Sequence, residues 1–154
     1  MTVIRRGGHQ DVPFMRSMLT HAYNWHVNLF DTDVPIGRYV DGWGRPGDAV
    51  LIAMDGGHRV GAGWIRIFRE SAPGYGFVDD QTPELTVAVV PSRQGEGIGL
   101  QLLHGLLDRA AADAYRAVSV SVEKGHPEVA LYEAQGFEQV GDTPHAVVLR
   151  RVLA

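Results

Sequence analysis

The chain of 154 residues contains no cysteine. This absence excludes disulfide bonds, cysteine-ligated metal sites and a cysteine nucleophile. Its seven histidines form neither a His-x-x-x-His spacing nor a His-Glu-x-x-His motif, so we expect no metal site. A Gly-x-Ser-x-Gly nucleophile elbow is also missing, which argues against a serine hydrolase of that type.

Long hydrophobic runs are absent as well. No apolar segment approaches the roughly twenty residues that a membrane-spanning helix requires. The first residues, Met1 to Gly8, lack the apolar region of a signal peptide. We therefore expect a cytoplasmic protein that does not contact a membrane. The net charge of -4 gives no support to a nucleic-acid partner and mildly favours cationic ones.

The composition that remains is that of one folded domain. With 45% hydrophobic and 21% charged residues, the chain is neither disordered nor membrane-like. A length of 154 residues suffices for one sizeable core. No linker, internal repeat or low-complexity segment interrupts it. We predict a single domain over residues 1–154.

Hydrophobic periodicity predicts strands and helices in alternation. The expected strands are 2–6, 48–54, 59–68, 83–90, 118–122, 137–140 and 146–152. Helices are expected after Asp11, which would cap the first one, from about Gly97, and over 127–135, with at most a short helix over 35–40. Asp55-Gly56-Gly57 predicts a hairpin turn between the second and third strands. The alternation indicates an α/β fold in which a mixed sheet is covered by helices.

A glycine-rich segment follows the fourth predicted strand. It runs Gln94-Gly95-Glu96-Gly97-Ile98-Gly99 and leads directly into a helix. Successive backbone N–H groups in such a turn converge on one point, and the start of the helix adds unpaired N–H donors and the positive end of its dipole. Because glycine has no side chain, it leaves room for a ligand to approach. The segment therefore predicts a pyrophosphate site.

Two common phosphate-binding motifs fit this segment poorly. A P-loop requires a Lys after its last glycine, and Leu100 follows Gly99 here. The dinucleotide fingerprint requires Gly-x-Gly-x-x-Gly near the start of a βαβ unit. In this chain the glycines are spaced Gly-x-Gly-x-Gly, and they lie past the middle of the sequence.

A second motif follows the predicted strand 118–122. It contains Gly125-His126-Pro127, then Leu131-Tyr132, and closes with Gly136-Phe137. In their order and spacing, the two motifs resemble the GNAT superfamily of acetyl-CoA-dependent N-acetyltransferases. The run from Gln94 to Gly99 is similar to motif A of that superfamily, and the later motif is similar to its late signature. One position departs from the pattern, because His126 stands where many relatives carry Asn.

This resemblance implies a fold and a donor. The sheet would be twisted and mostly antiparallel, with its fourth and fifth strands splayed around acetyl-CoA as the acetyl donor. A β-bulge near residues 87–89 would free a backbone N–H that polarises the thioester oxygen. The implied cofactor-binding residues are Val87, Ala88, Val89, Gln94, Gly95, Glu96, Gly97, Ile98, Gly99, His126 and Tyr132.

The resemblance also implies a reaction, which is direct acetyl transfer to a primary amine in a ternary complex. An amine like that of lysine is neutral in only about one molecule in 2,500 at pH 7, so the reaction needs a base. Glu84 matches the glutamate that serves as base in relatives, directly or through water, and Tyr132 matches the tyrosine that protonates the leaving CoA thiolate. The alternative for Glu84 is a solvated carboxylate at the end of a strand, and the alternative for Tyr132 is an aromatic residue that only packs in the core.

The acceptor is less determined, and small-molecule and peptide amines both stay open. Asp79 and Asp80 either add negative potential for a cationic acceptor or are ordinary turn residues. A non-catalytic acetyl-CoA or CoA sensor is the alternative to an enzyme, and an acyltransferase for longer acyl chains is a second one. The sequence allows a homodimer. Residues that could line an acceptor pocket, or else pack in the core, are Tyr23, Trp25, Trp43, Trp64 and Arg66.

Overall fold

The computed structural model describes residues 1–23 and 35–153. The strands in this part are β1 (Thr2–Arg6), β2 (Ala49–Asp55), β3 (His58–Arg66), β4 (Glu84–Val89), β5 (Ala117–Glu123), β6 (Glu138–Asp142) and β7 (Ala146–Val152). The α-helices are α1 (Val12–Ala22), α2 (Ile98–Ala112) and α3 (Glu128–Ala134), and short 3-10 helices span His9–Asp11, Ile36–Tyr39 and Pro91–Arg93. None of the described helices is long and apolar enough to cross a membrane.

All seven strands form one sheet in the order β1-β2-β3-β4-β5-β7-β6. Neighbouring strands are antiparallel except β4 and β5, which are parallel. The β3–β4 pairing runs along the whole of β4, whereas β4 and β5 share the single position Glu84↔Ser119 and separate beyond it. The prediction of a mixed, mostly antiparallel sheet with splayed fourth and fifth strands is confirmed.

Local sequence explains the turn that joins β2 and β3. Gly56 and Gly57 have φ values of 58° and 87°. A two-residue hairpin turn of type I′ needs positive φ at both central residues, a conformation that glycine adopts without steric cost. The predicted hairpin is confirmed, and its strands end within two residues of their expected limits.

The two faces of the sheet are covered by different helices. Side chains alternate along β4, so that Ala88 packs with Met15 of α1 on one face. Leu85 packs with Leu103 and Leu106 of α2 on the other face. Glu84 and Thr86 belong to the α1 face by the same alternation, and this places two polar side chains in an otherwise apolar layer.

Asp11 corrects one detail of the predicted first helix. It precedes α1, but its side chain makes no capping hydrogen bond there. The buried carboxylate instead accepts hydrogen bonds from Arg5 (2.8 and 3.0 Å), from Nε of Arg59 (2.8 Å) and from the backbone N–H of Gly8 (2.9 Å). Burial raises the pKa of Asp11, but these donors outweigh it and hold the pKa well below its usual range. Asp11 therefore ties β1 and β3 to the turn before α1.

Candidate active site

The separation of β4 and β5 opens a cleft towards the C-terminal ends of both strands. The cleft contains a cavity of about 540 Å³. Its walls come from β4, β5, the glycine-rich turn, the end of α1 and the start of α3. The lining residues are His21, Ala22, Val87, Ala88, Val89, Arg93, Gln94, Gly95, Gly99, Ser121, Val122, Glu123, His126, Pro127 and Glu128. The two sequence motifs, which are far apart in the chain, therefore meet at one cavity.

The backbone of β4 directs alternate residues into this cleft. The N–H of Val90 donates to the carbonyl of Val60 (2.9 Å), and the N–H of Ser119 donates to the carbonyl of Pro83 (3.0 Å). In an antiparallel pair, bonded and non-bonded positions alternate. Even-numbered residues of β4 thus bond to β3, while Val87 and Val89 point their N–H and C=O groups towards β5, where the strands have parted.

This geometry corrects the expected β-bulge. The β3–β4 register, which lies wholly within the described residues, continues without a shift from Glu84 to Val89. The alternation of the β3–β4 pairing directs the backbone N–H groups of Val87 and Val89 towards β5, and the splay of β4 from β5, rather than a bulge, leaves them open to the cleft. The sequence of β4 did not separate the two arrangements, because the splay depends on where β5 lies and β5 is distant in the chain.

The glycine-rich turn has open space in front of two of its glycines. Gly95 and Gly97 have φ values of 83° and 82°, and a Cβ atom at either position would meet nothing within 4 Å. Gly97 precedes α2, and its carbonyl accepts the hydrogen bond of Gln101 N (3.1 Å). The N–H groups of Ile98, Gly99 and Leu100 come before that first helical bond. The turn thus has backbone donors and the space in front of them that an anion needs.

Three side chains of the turn have structural contacts. Ile98 is buried against Ala53, Val60 and Leu102, so only its backbone is available to a ligand. Glu96 accepts hydrogen bonds from Nε of Arg93 (3.0 and 3.1 Å). Gln94 donates from Nε2 to the carbonyl of Val89 (3.4 Å). These contacts fix the turn against the sheet.

His126 lies on the cleft wall at the start of α3. Its Nδ1 accepts a hydrogen bond from the backbone N–H of Glu128 (3.1 Å). This bond satisfies one of the N–H groups that a helix start leaves unpaired. Asn side chains commonly bond the backbone N–H two residues on in the same way, and His126 makes this bond with a ring nitrogen.

Glu84 is almost completely buried, at 1% exposure. Its Oε2 accepts a hydrogen bond from the hydroxyl of Tyr39, and its Oε1 accepts one from the backbone N–H of Gly76 (3.0 Å). Burial raises the pKa of Glu84 from 4.5 to about 8, although both hydrogen bonds oppose the rise. The alternative of a solvated strand-end carboxylate is wrong. Glu84 also does not line the cleft cavity.

Tyr39 is the residue of this region that sequence reasoning missed. Besides donating to Glu84, its hydroxyl accepts a hydrogen bond from the N–H of Tyr75 (2.8 Å). Its ring lies 4.7 Å from that of Tyr23 and 5.0 Å from that of Phe68, measured between centroids. No motif marks this position. The one signal was the weak prediction of a short helix over 35–40.

Tyr132 is buried on α3 and packs edge-on against Phe137, with the ring centroids 5.2 Å apart. Burial raises the pKa of its hydroxyl, and the nearby Glu128 raises it further. The hydroxyl is near enough to Tyr23 to influence the pKa of that residue. Tyr132 is not among the cavity-lining residues. The packing against Phe137 agrees with the alternative that Tyr132 is a core aromatic. Its hydroxyl nevertheless lies near Tyr23, at the edge of the candidate active site.

Two side chains considered for the acceptor pocket are structural. Trp64 is fully buried and donates from Nε1 to the carbonyl of Tyr39 (3.1 Å). Arg66 is buried in an ion pair with Asp48 (2.8 Å) and lies 5.2 Å from the ring centre of Trp43. The interpretation of Trp64 and Arg66 as acceptor-facing residues is therefore wrong. Trp25 lies outside the described residues.

Asp79 and Asp80 are exposed. Asp79 accepts a hydrogen bond at Oδ1 from the N–H of Gln81 (2.8 Å), a contact typical of a turn. Both aspartates line a second cavity of about 570 Å³, which shares no lining residue with the cleft. These observations support the alternative that Asp79 and Asp80 are ordinary turn residues.

Comparisons with known proteins give one consistent result. The family model of the acetyltransferase (GNAT) family matches residues 13–137. The chain is 28% identical over 146 residues to an L-methionine sulfoximine/L-methionine sulfone acetyltransferase of Pseudomonas paraeruginosa, covering 92% of this chain and 83% of the relative.

Two solved structures share the fold. A ribosomal-protein-alanine N-acetyltransferase from Brucella melitensis has a TM-score of 0.74 and 25% identity, over 98% of this chain and 99% of its own. A phosphinothricin acetyltransferase from Sinorhizobium meliloti, in complex with acetyl-CoA, has a TM-score of 0.74 and 20% identity, over 99% of this chain and 89% of its own.

Proposed function

The chain belongs to the acetyltransferase (GNAT) family, and we propose that this enzyme transfers the acetyl group of acetyl-CoA to a primary amine. The proposal extends to direct attack of the amine within a ternary complex. One observation carries it: the cleft between β4 and β5 is bordered by the open glycine-rich turn at one side and by the start of α3 at the other. The family membership favours an enzyme over a CoA sensor.

The residues of the cleft fit an extended donor that has amide groups and an anionic part. Ser121 Oγ is the one buried side-chain polar atom of the described residues without a hydrogen-bond partner, and Ser121 lines the cleft. Buried polar groups normally have a partner, so a ligand would supply it. The backbone donors of Val87 and Val89 face the same space, and the open turn at Gly95 and Gly97 suits a pyrophosphate.

We assign the donor contacts on this basis. The backbone of Val87, Ala88 and Val89 would hold the pantetheine arm, and His126 would contribute a wall of the cleft. Bound there, acetyl-CoA supplies an activated acetyl thioester. The pyrophosphate would lie on the backbone of the turn formed by Gln94, Gly95, Glu96, Gly97, Ile98 and Gly99.

Glu84 is the proposed base. A positioned base works best when its pKa lies near the operating pH, and burial raises the pKa of Glu84 to about 8. At pH 7 about one tenth of such groups are ionised, and the ionised fraction grows as the pH rises. We therefore expect the reaction to be faster at mildly alkaline pH than at neutral pH.

Tyr132 is the proposed donor of a hydrogen bond to the leaving sulfur. Its raised pKa keeps the phenol protonated over the working pH range, so a proton is always present to donate. The same rise opposes full proton transfer to a thiolate, whose thiol has a pKa near 8.5. Stabilisation by a hydrogen bond is therefore the form of catalysis that the environment of Tyr132 favours.

We propose a small-molecule or peptide amine as the acceptor. The curated relative is named for L-methionine sulfoximine and L-methionine sulfone, and a solved relative for the alanine of a ribosomal protein. Amino-acid derivatives and amino-terminal peptides are therefore the first acceptors to test. A cytoplasmic location, the single domain, the homodimer and the absence of a nucleic-acid or membrane partner stay predictions from the sequence.

The test combines two measurements on one preparation. Calorimetric titration measures the binding of acetyl-CoA, and a free-thiol assay measures CoA release in the presence of each acceptor. The panel contains L-methionine sulfone, L-methionine sulfoximine, phosphinothricin, lysine and a peptide with amino-terminal alanine. Micromolar binding with amine-dependent release is expected. Failure to bind would contradict the donor assignment, and binding without release over the whole panel would contradict the acceptor class.

A further inference from the structure

The cleft between β4 and β5 ends close to the point at which the two strands meet. On β4, Ala88 lines the cavity, but Thr86, the neighbouring residue on the same face, does not. On β5, Ser121 lines the cavity, but Ser119 does not. Thr86 and Ser119 are both almost completely buried. Among the described residues, these two lie at the closed end of the cleft.

Tyr23 completes this closed end on the side of α1. It directly follows Ala22, the last residue of α1, which lines the cavity. Tyr23 is only 2% exposed, and its hydroxyl lies 2.9 Å from Oγ1 of Thr86. Tyr23 and Ala88 belong to the same cluster of buried side chains. The hydrogen bond between Tyr23 and Thr86 therefore joins the end of α1 to β4 behind the cavity.

The loop before β4 closes the side of β5. Ser119 Oγ donates to the carbonyl of Gly76 (2.7 Å), and the N–H of Gly76 donates to Oε1 of Glu84 (3.0 Å). A Cβ atom at Gly76 would lie 2.9 Å from the backbone N of Ser121 and 3.0 Å from the carbonyl carbon of Val120. The loop backbone thus packs directly on β5, at a distance that only glycine allows.

The space behind Tyr23 is filled by other aromatic side chains. The centre of its ring lies 4.7 Å from that of Tyr39 and 5.4 Å from that of Tyr75. Tyr39 is fully buried and also packs against Phe68. Protein interiors are packed as densely as organic crystals, so the Tyr23 ring cannot move back without displacing these neighbours. Extra methylene groups forced into such packing are unfavourable.

The acyl group of the donor would lie at this closed end. With the pyrophosphate on the glycine-rich turn, the pantetheine arm runs from Val89 to Val87, towards the start of β4. Tyr132, the proposed partner of the leaving sulfur, belongs to the same end. Burial raises the pKa of Tyr23, and Glu84 and Tyr132 raise it further, so the Tyr132 hydroxyl lies near that of Tyr23.

We propose that Tyr23, held in place by Thr86, is the residue that limits the acyl chain of the donor to acetyl. This inference rests on the proposed function. The methyl group of the acetyl thioester reaches the closed end of the cleft, and each further methylene of a propionyl or butyryl group needs the space of the Tyr23 ring. Tyr23 acts by excluding these groups and takes no part in proton transfer.

The test measures kcat/KM for acetyl-CoA, propionyl-CoA and butyryl-CoA by thiol release, with the acceptor identified from the panel. One methylene too many in an apolar pocket lowers kcat/KM by roughly 10- to 200-fold. The wild-type protein should therefore discriminate against propionyl-CoA by at least roughly tenfold, and against butyryl-CoA more strongly. Equal use of the three donors by the wild-type protein would overturn the proposal.

Two variants at Tyr23 separate the ring from its hydroxyl. Tyr23→Ala removes the ring and should abolish most of the discrimination, whereas Tyr23→Phe keeps the ring and should retain it. Each ratio of kcat/KM values is taken within one preparation, so a partial loss of folded protein cancels. A wild-type ratio in Tyr23→Ala would overturn the role of the ring, as would an equal gain of propionyl transfer in both variants.

Tyr23→Leu gives the same test with a smaller loss of packing. It keeps an apolar side chain at the position and serves if Tyr23→Ala fails to fold. We expect it to accept propionyl-CoA better than the wild-type protein does, and butyryl-CoA less well than propionyl-CoA. A wild-type ratio in Tyr23→Leu would also count against the proposal.

Failure of the proposed function has a different signature. If the wild-type protein releases no thiol from acetyl-CoA with any amine, the proposed function fails. If the wild-type protein is active with acetyl-CoA and uses the longer donors equally well, the role of Tyr23 fails and the acetyltransferase assignment stands.

Discussion

Ser119 and Ser121 lie on the same face of β5, but only Ser119 has a partner for its hydroxyl. Ser119 Oγ donates to the carbonyl of Gly76 (2.7 Å), whereas Ser121 Oγ is buried without a partner at the cleft. The first hydroxyl holds the loop before β4 against β5. The Ser121 hydroxyl is free to bond a ligand that enters the cleft. Removing the Ser119 hydroxyl should therefore lower stability, whereas removing the Ser121 hydroxyl should weaken ligand binding.

Ser121→Ala should weaken the binding of acetyl-CoA by about three- to tenfold, the effect of losing one neutral hydrogen bond. Its stability should be unchanged or slightly higher, because the substitution removes an unpaired buried hydroxyl. Ser119→Ala is the matched control and should lose about 1–3 kcal/mol of stability, because it leaves the Gly76 carbonyl without its donor. Calorimetry and denaturant unfolding measure both effects. Wild-type affinity in Ser121→Ala would contradict the assignment.

Gly97→Glu should abolish the binding of acetyl-CoA. The residue faces open space at the start of α2, so a carboxylate placed there would exclude and repel a pyrophosphate. Gly57→Glu is the control, because Gly57 has a similar φ (87° against 82°) and equally open surroundings in the β2–β3 turn. Both variants should lose about 1 kcal/mol or more of stability from the positive φ. Equal affinity of the two variants in calorimetry would argue against a pyrophosphate site in the turn.

Tyr132→Phe should lower kcat with little change in acetyl-CoA affinity. The phenyl ring keeps the contact with Phe137, so only the hydroxyl is lost. A reduction of roughly tenfold is expected for the loss of one positioned donor. Steady-state kinetics with the acceptor identified from the panel measures kcat, and calorimetric titration measures the affinity for acetyl-CoA. Unchanged turnover would leave Tyr132 with its packing role alone.

The parts of the site that could be predicted are those encoded by neighbouring residues. The glycine-rich turn is an example, since the spacing of its glycines and the start of the helix after them are properties of neighbouring residues, and Gly95 and Gly97 adopt the positive φ that glycine allows. The burial of Glu84 did not follow, because Tyr39 and the loop at Gly76 reach it from distant positions in the chain. Long-range packing of this kind leaves no periodic signal.

Trp64 and the backbone of β4 illustrate two other limits. Strand alternation assigns Trp64 to one face of the sheet, but it does not say whether a ligand or a helix covers that face. A bulge and a splay both leave backbone N–H groups of a strand without a partner on the neighbouring strand. Because main-chain groups are the same in every residue, the choice between them depends on the position of β5 and cannot be recognised in the sequence of β4.

Glu84 makes stability depend on pH in a direction opposite to that of most carboxylates. The folded protein holds this proton up to a pH of about 8, whereas the unfolded chain releases it near 4.5. Between these values the native state binds more protons than the unfolded state, so the free energy of unfolding falls as the pH rises. The full effect is on the order of 4 to 5 kcal/mol, complete above pH 8.

Glu84→Gln should remove this dependence, because the amide does not titrate. We expect the variant to be more stable relative to wild type at pH 9 than at pH 5, with the difference developing between about pH 5 and 8. Denaturant unfolding of both proteins across this range measures it, and other titrating groups cancel in the difference. The same substitution should abolish most of the amine-dependent thiol release, since the amide cannot accept a proton. Parallel stability curves would mean that Glu84 is ionised in the folded protein at every pH tested.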